Sequence, residues 1–286
     1  MTRVLVLGGG PDAERDISIT SAKGVHRACL DAGLDATLLI VDEPGVDEIQ
    51  AWQTDVVFPV LHGKFGEGGS LQQRLTQAGV PFVGSGFTAS AIGMDKLATK
   101  LLAAQLGIPT PESCVLDADR LLHDSTARTP IDTPFVVKPV HDGSSMGLHI
   151  CKTPDQWNAA LRAIRDDLER HPRRVYMIER FTPGRELTAP VIVDPGGSGE
   201  LIALPLIEIS PKGGVYDYDA KYTRGDTVYR VNPDLPNRLV ETIQSQALAL
   251  CNSIGVRHLA RVDFILIGDD EWTLLELNTM PGFTPT

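Results

Sequence analysis

The sequence predicts an α/β (α+β) protein that begins with an open sheet and continues into two further mixed units. Apolar runs of strand length alternate with helical patterns in the N-terminal third, an order typical of an open α/β sheet. A hairpin of two alternating apolar runs closes the chain. A chain of 286 residues can bury more than one core. We therefore expect three units, at residues 1–95, 96–182 and 183–286.

The first unit is predicted from strands that alternate with helices and end at glycine-rich or polar turns. A first strand runs directly into Gly8-Gly9-Gly10. The expected strands are Arg3–Leu7, Ala36–Val41, Asp55–Pro59 and Pro81–Val83, and the expected helices are Ser18–Ala32 and Leu71–Ala78.

The second and third units follow a helix expected from about Met94 to Leu106 and the turn Gly107-Ile108-Pro109. The second unit is expected to contain strands Phe135–Pro139, His149–Lys152 and Val175–Glu179 and helix Thr153–Glu169. The third is expected to contain strands Glu186–Val193 and Leu201–Glu208, helix Pro236–Ile254, and the hairpin strands Arg261–Ile267 and Thr273–Asn278.

Charge and composition exclude several function classes. The net charge of -11 argues against a nucleic-acid partner, which would require a basic face. No apolar run approaches the length of a bilayer span, so no membrane partner is expected, and the sequence starts in a strand without a signal-peptide pattern. The four cysteines are scattered without a C-x-x-C pair. Reduced cysteines of this kind are typical of a cytoplasmic protein.

The closing hairpin contains a predicted metal site. If Asp269-Asp270 form a two-residue loop, Asp263 lies opposite Glu276, and Arg261 lies opposite Asn278. Because side chains alternate with period 2, all four would point to one side of the sheet. Opposed carboxylates repel unless a cation lies between them. Two carboxylates and an amide favour Mg²⁺ over a solvated polar face.

The stretch GGGPDA after the first strand fits the glycine pattern of dinucleotide-binding folds, with Asp42 as a ribose ligand. Glu14 argues against this alternative, because a carboxylate at a helix N-terminus repels a pyrophosphate. Glu14 is instead suited to hold a cationic amine. The dinucleotide interpretation stays open as the weaker alternative.

Two loops are placed to bind ligands. The loop His62–Gly69 follows a strand end, where ligands bind in open α/β sheets, although an ordinary loop is an equal alternative. In VVKPVHDGSSMGLHI, a buried strand delivers Lys138, and a loop with Ser144 and Ser145 follows. Successive backbone N–H groups and a lysine favour phosphate binding over a surface turn.

A hinge and a lid are predicted further along the chain. Glu179 and Glu186 flank residues 180–184, where backbone could contact an adenine edge and the carboxylates its amine and ribose. Surface charge is the alternative for an isolated pair of glutamates. The stretch YDYDAKY at residues 216–222 is too polar for a core strand and too aromatic for a linker, which favours a lid.

Seven stretches in this order resemble the D-alanine–D-alanine ligases of the ATP-grasp superfamily over essentially the whole chain. They are GGGPDAERDIS, LHGKFGEGG, GMDKLATK, VVKPVHDGSSMG, IERFTPGREL, YDYDAKYT and ARVDFIL…LLELNTMPG. The resemblance implies an ATP-grasp fold and ATP-dependent joining of two D-alanines for the peptidoglycan precursor. ATP, D-alanine and two Mg²⁺ ions, with Mn²⁺ as a substitute, are the implied ligands, and a cytoplasmic homodimer is the implied form.

The same resemblance assigns roles to individual residues. It implies that Glu14 binds the first substrate's ammonium group, that Ser144 and Tyr222 orient Glu14 across the site, and that His62 also contacts substrate. Arg261 and the Gly282 amide would stabilise an oxyanion, and Asp263, Glu276 and Asn278 would bind the metal ions. The implied ATP ligands are Lys96, Lys138, Ser145, Glu179, Arg180, Phe181 and Glu186, with Lys221 from the lid.

The chemistry explains why such a set is needed. A carboxylate resists attack by an amine, so it first accepts the γ-phosphoryl group, whose charge metal ions and lysines neutralise. Amine attack on the acyl phosphate then creates an oxyanion that needs donors. Since acyl phosphates hydrolyse readily, a lid must exclude water. A ligase with D-lactate or D-serine as acceptor and a catalytically silent nucleotide-binding protein are the alternatives.

Two departures from the family pattern are expected to matter. Gly68 stands after Glu67 where relatives have an acidic or amide residue, which weakens one local network. The sequence ends at Thr286, whereas relatives continue with a Ser-Leu segment that holds the second substrate's carboxylate and with a final helix. A chain without that segment is expected to bind ATP but to form dipeptide poorly.

Overall fold

The first sheet is parallel and three-stranded. The computed structural model describes residues 2–117, 120, 129–212 and 225–284. The strands run in the order β2-β1-β3, and the short helices between them cover both faces. The elements are β1 (Arg3–Gly9), α1 (Arg15–Asp31), β2 (Asp35–Val41), α2 (Val46–Gln50), β3 (Val56–Pro59), α3 (Gly63–Glu67) and α4 (Ser70–Gln77).

The central strand of this sheet is buried on both faces, as expected for a parallel strand covered by helices. Val4 and Val6 belong to a core with α1, whereas Leu5 and Leu7 belong to a second core with α4. The strand predicted at Pro81–Val83 is wrong as a full strand: only Phe82 forms a bridge, with Val57. The helix α3, predicted as a loop, begins immediately after His62, three residues beyond the end of β3.

Two helices lead out of this sheet where one was predicted. They are α5 (Phe87–Met94) and α6 (Lys96–Gln105). The chain is extended at Asp95, whose carboxylate accepts hydrogen bonds from the N–H groups of Leu97 and Ala98 at 3.0 and 2.9 Å. This side-chain cap satisfies two N–H groups that the first turn of a helix leaves unpaired. A new helix therefore starts at Lys96, and its first turn faces the next unit.

The second sheet is antiparallel and four-stranded, with the order β4-β7-β5-β6. Phe135 and Val137 point toward the helix on one face and share a core with Ile178 and Ile164. Alternation therefore places Lys138 on the other face of the sheet. The elements are β4 (Ser113–Val115), β5 (Phe135–Pro139), β6 (His149–Cys151), α7 (Pro154–Arg170) and β7 (Tyr176–Arg180).

The third sheet is six-stranded, with the order β11-β10-β8-β12-β13 and β9 paired to β8. Leu187 and Phe264 face α8 in the main core. The single strand predicted at Leu201–Glu208 is wrong, because Pro205 has no N–H for the ladder and divides it into β9 and β10. The elements are β8 (Arg185–Val193), β9 (Leu201–Ala203), β10 (Ile207–Ser210), β11 (Val228–Val231), α8 (Asn237–Ile254), β12 (Leu259–Ile267) and β13 (Glu271–Asn278).

Among the residues that the structure describes, no helix is both long and apolar enough to cross a bilayer.

Candidate active site

A cleft of about 450 Å³ lies between the second and third sheets. Its walls come from the open face of the second sheet, the segment that joins the two sheets, and the ends of β10, β12 and β13. A smaller crevice, which Gly143 and Asn278 help to line, shares Lys96, Asp142 and Glu276 with this cleft. The two spaces therefore adjoin along these three residues.

Three charged side chains meet at the floor of the cleft. Lys138 Nζ donates to Glu179 Oε1 at 2.8 Å, and Lys100 Nζ lies 2.6 Å from Glu179 Oε2. Burial opposes ionisation of Glu179, yet the two ammonium groups outweigh it and hold the pKa of Glu179 below its usual value. The cluster carries two positive charges and one negative charge, which favours an anionic ligand above it.

The loop after β5 is tied down on two sides. The ammonium group of Lys96 donates to the backbone carbonyl of Asp142. The carboxylate of Asp142 pairs with Arg174 Nε at 3.0 Å, and Arg174 in turn binds Asp167 of α7. Ser144 follows in this loop with a positive φ of 49°, a conformation that L residues rarely adopt. The anchored loop contributes Asp142 to both spaces and Ser145 to the cleft.

The hairpin places its polar residues as predicted, although by a different turn. Arg261 pairs with Asn278, and Asp263 pairs with Glu276. The predicted two-residue loop is wrong, because Ile267 pairs with Glu271 around a three-residue turn. An irregularity between Asp263 and the following residue absorbs the extra step. The third turn residue and the irregularity shift the register in opposite directions. The four polar side chains therefore stay on one side of the sheet, as predicted.

Asp263 is held by neighbours on three strands. Arg261 Nε and Nη2 donate to its two carboxylate oxygens at 2.9 and 2.8 Å, and Thr188 Oγ1 donates to Oδ1 at 2.7 Å. Asn278 Nδ2 lies 3.2 Å from Oδ2. Within the described residues, no three His, Cys, Asp or Glu side chains converge. The donor set is therefore two carboxylates and one amide, which are hard oxygen donors of the kind divalent cations take.

A second polar pocket lies at the N-terminus of α1. Glu14 is buried, and Ser144 donates a hydrogen bond to its carboxylate. His62 is also buried and bonds Glu67 Oε1 through Nδ1 at 2.9 Å. A Cβ on Gly282 would lie 4.0 Å from His62 Nε2, so the chain end of the described residues closes on this pocket. The pocket offers a buried carboxylate to a cationic group.

Comparisons with known proteins agree with this geometry. The family model for the D-ala D-ala ligase C-terminus matches residues 102–286, and that for the N-terminus matches residues 42–85. The D-alanine–D-alanine ligase of Bordetella petrii is 40% identical over 283 residues, which cover 99% of this chain and 83% of that protein. The chain belongs to the D-alanine–D-alanine ligase family.

Solved structures of ATP-grasp ligases share the fold of this ligase. D-alanyl-alanine synthetase A of Vibrio cholerae superposes with a TM-score of 0.79 at 28% identity, covering 99% of this chain and 90% of the other. A D-Ala:D-Ser ligase of Enterococcus faecalis gives 0.77 at 25% identity, covering 99% and 91%. The predicted family, enzyme class and fold are confirmed.

The structure brings most predicted site residues of the ligase to the two adjoining spaces. The cleft is lined by Lys96, Lys138, Ser145, Glu179, Arg180, Phe181, Glu186 and Glu276. The guanidinium of Arg180 pairs with Glu112 at 2.6 Å, so the cleft meets another part of that residue. Tyr222 and Lys221, with the predicted lid, lie outside the described residues. The individual ligand roles remain predictions.

The dinucleotide alternative loses its main support. Asp42, its expected ribose ligand, pairs with Arg15 of α1, and the Arg15 guanidinium also donates to the Gly10 carbonyl at 2.8 Å. This side chain therefore closes over the glycines. The network that Gly68 was expected to weaken still contains the bond between His62 and Glu67.

Three residues of the site were missed by the sequence reasoning. Lys100 lies one helical turn after Lys96, and this spacing of four residues was an available signal. Thr188 pairs with Asp263 between β8 and β12, a contact that needs knowledge of strand order. Arg174 pairs with Asp142 in the loop after β5. Because Arg174 lies far from this loop in the sequence, no local pattern indicates the contact.

Proposed function

We propose that this ligase joins two D-alanine molecules with ATP, through an acyl phosphate, to form D-alanyl-D-alanine for peptidoglycan synthesis. One observation carries the proposal. Glu276 lines both the large cleft and the crevice, and Gly143, which also lines the crevice, lies beside the carboxylate of Glu14. The γ-phosphate of ATP bound in the cleft and the carboxylate of a D-alanine held at Glu14 would therefore meet beside the hairpin.

The nucleotide occupies the large cleft in this proposal. Its volume of about 450 Å³ lies within the range of small-molecule sites. Phe181 and the chain on either side of it supply an apolar wall for the base, and Glu186 can accept from ribose hydroxyls. Lys138 at the floor of the cleft and Lys96, which also lines it, can neutralise phosphate charge.

Asp263, Glu276 and Asn278 are the proposed ligands of two divalent ions, with Mg²⁺ as the physiological metal and Mn²⁺ as a substitute. Their oxygen donors fit such ions, and the side chains lie on one side of the hairpin. When bound, the ions neutralise charge on the transferring phosphoryl group. Arg261 and Thr188 orient Asp263 through three hydrogen bonds, so that this ligand has little rotational freedom.

The first chemical step begins with the donor D-alanine held by its ammonium group at Glu14. Ser144 fixes the carboxylate of Glu14 by a hydrogen bond. The donor's carboxylate oxygen attacks the γ-phosphorus, and the bond from that phosphorus to the ADP oxygen breaks. The product is D-alanyl phosphate, in which the carbonyl carbon now carries a good leaving group.

The second step is attack by the acceptor's amine on that carbonyl carbon. The guanidinium of Arg261 and the Gly282 amide are the proposed donors to the tetrahedral oxyanion. Phosphate then leaves with the oxygen that came from the donor carboxylate. Closure of the lid at residues 216–222 is the proposed means of excluding water.

The cellular setting completes the proposal. We propose a cytoplasmic homodimer with three units at residues 1–95, 96–182 and 183–286, on the strength of the family relationship and of three separate sheets. The mass of the particle in solution, measured by light scattering, tests the dimer.

The function is tested by ADP release with ATP and Mg²⁺ in the presence of D-alanine, D-serine, D-lactate or no second substrate. Release that depends on D-alanine, with D-alanyl-D-alanine identified by mass spectrometry, supports the proposal. A mixed product formed faster from D-serine or D-lactate would change the acceptor. ADP release unaffected by any of the three compounds would contradict the ligase proposal.

A further inference from the structure

Lys100 is a buried cation that the proposed mechanism does not use. Its side chain lies beside Glu179 under the floor of the cleft, and both residues are at most 5% exposed. Lys96, Lys138 and Glu179 line the cleft, whereas Lys100 is not among the described residues that line it. Lys100 therefore acts on a bound nucleotide only through its neighbours.

The geometry of the cluster defines two different contacts to one carboxylate. Lys138 makes an aligned hydrogen bond to Glu179 Oε1 at 2.8 Å. Lys100 makes a close ion pair to Oε2 at 2.6 Å without the alignment of a hydrogen bond. Each oxygen of Glu179 thus has its own cation, and only one of the two cations reaches the cleft.

The backbone dictates this division. Glu179 of β7 and Lys138 of β5 lie on the same face of the second sheet, because Val136 pairs with Glu179 and Lys138 pairs with Met177. Lys100 comes from α6, where it follows Lys96 by one turn on the same side of the helix. The helix and the sheet therefore each supply one lysine to the buried carboxylate of Glu179, and each lysine contacts a different oxygen.

The electrostatics show why two lysines are present. A phosphate that recruits Lys138 weakens its bond to Glu179, and a buried carboxylate without a cation is strongly destabilising. Burial and the charge of Lys138 lower the pKa of Lys100 below its usual value, although the charge of Glu179 opposes this shift. The ion pair with Glu179 therefore favours the charged form of Lys100, and it does not require Lys138.

We infer that Lys100 is a positioning residue that holds the charge of Glu179 so that Lys138 is released to a nucleotide phosphate. The inference rests on the proposed binding of ATP in the cleft. Without Lys100, Glu179 would depend on Lys138 alone, and a phosphate would have to compete with this buried ion pair. The loss should therefore concern the phosphates of the nucleotide and spare its nucleoside.

The test is calorimetric binding of ADP and of adenosine to the wild type and to Lys100→Met, Lys100→Arg and the control Lys23→Met, which removes an exposed lysine of α1. Lys100→Met should weaken ADP binding roughly ten- to a hundredfold, the range of a charge-assisted contact, and leave adenosine binding within about twofold. Lys100→Arg should retain most of the affinity, and Lys23→Met should behave as wild type.

A double variant tests the route through Glu179. In Lys100→Met/Glu179→Gln no carboxylate remains to compete for Lys138, so ADP affinity should equal that of Glu179→Gln alone, whatever Glu179 itself contributes to nucleotide binding. Equal losses for ADP and adenosine, or strictly additive effects in the double variant, would overturn the inference. A wild type that fails to bind ADP would instead overturn the proposed function, and the role of Lys100 with it.

Discussion

Ser144 donates a hydrogen bond to the carboxylate of Glu14, although 130 residues separate the two in the chain. The first lies in the loop after β5, and the second lies at the N-terminus of α1. In the proposed function, this contact joins the loop expected to bind phosphate to the carboxylate expected to hold the substrate's amine. The two reacting groups would then lie close together.

Glu14→Gln should raise the apparent KM for D-alanine at the donor site and spare ATP binding. Removing the charge weakens a charge-assisted hydrogen bond, typically worth about 1.5–3 kcal/mol or roughly ten- to a hundredfold. Initial rates at varied D-alanine and ATP concentrations measure both effects. Asp16→Asn, an exposed change two residues further along in the first turn of α1, is the control. A change in ATP affinity with unaltered D-alanine affinity would revive the dinucleotide interpretation.

Glu276→Gln should abolish turnover while the protein stays folded. The proposed metal site would lose a charged ligand. With only Asp263 and Asn278 to hold the metal ions, the charge on the transferring phosphoryl group would be poorly neutralised. The measurements are kcat over a range of Mg²⁺ concentrations and the melting temperature. Glu271→Gln, an exposed change at the start of the same strand, should leave kcat unaltered. A near-normal rate for Glu276→Gln at low Mg²⁺ would remove the metal assignment.

Thr188→Val should weaken metal binding about tenfold or more, since a hydrogen bond to a charged group contributes roughly 1.5–3 kcal/mol. The substitution keeps the shape of the buried side chain and removes only the donor to Asp263 Oδ1. Mn²⁺ binding in the presence of ADP, followed by electron paramagnetic resonance, measures this directly. Thr188→Ser keeps the hydroxyl and is the matched control. Unchanged Mn²⁺ affinity in Thr188→Val would show that the hydrogen bond from Thr188 does not help to orient Asp263.

The pair His62 and Glu67 predicts a pH-dependent contribution to stability. Burial lowers the pKa of His62, and the charge of Arg261 lowers it slightly further. The hydrogen bond and the charge of Glu67, with a smaller effect of Glu14, outweigh both. The pKa of His62 therefore lies above the ordinary histidine value. A raised folded-state pKa gives a contribution that is fully present below the unfolded value of about 6.5. It is lost as the pH rises through the raised value.

Glu67→Gln should therefore cost more stability at about pH 5.5 than at about pH 9. Thermal melting of the wild type, Glu67→Gln and the exposed control Glu48→Gln at both pH values tests this. The carbon-bound protons of His62, followed by NMR, should titrate at lower pH in Glu67→Gln. A loss of stability that is the same at both pH values would contradict a charged His62.

The sequence predicts the hairpin site well because its information is local. Asp263 and Glu276 are brought together by alternation and a short turn, so the register follows from spacing. The turn itself was predicted wrongly, since an irregularity after Asp263 compensates for a third turn residue. A strand irregularity of this kind leaves the apolar pattern intact and gives no clear signal in the sequence.

The contacts that sequence reasoning missed are long-range. Thr188 meets Asp263 because β8 lies beside β12, and apolar periodicity does not fix the order of strands in a sheet. Lys100 meets Glu179 because α6 crosses to the open face of the second sheet. Helix ends also depend on tertiary contacts: Asp95, which caps α6, also forms a hydrogen bond with His141 Nε2 at 3.2 Å.

The central claim is that the donor carboxylate becomes an acyl phosphate, and the fate of its oxygen tests this most directly. D-alanine labelled with ¹⁸O in its carboxylate is incubated with the ligase, ATP and Mg²⁺, and the released phosphate is analysed by mass spectrometry. The account predicts a single ¹⁸O atom in each phosphate, released together with ADP and D-alanyl-D-alanine. Phosphate without label, with its fourth oxygen taken from water, would contradict it.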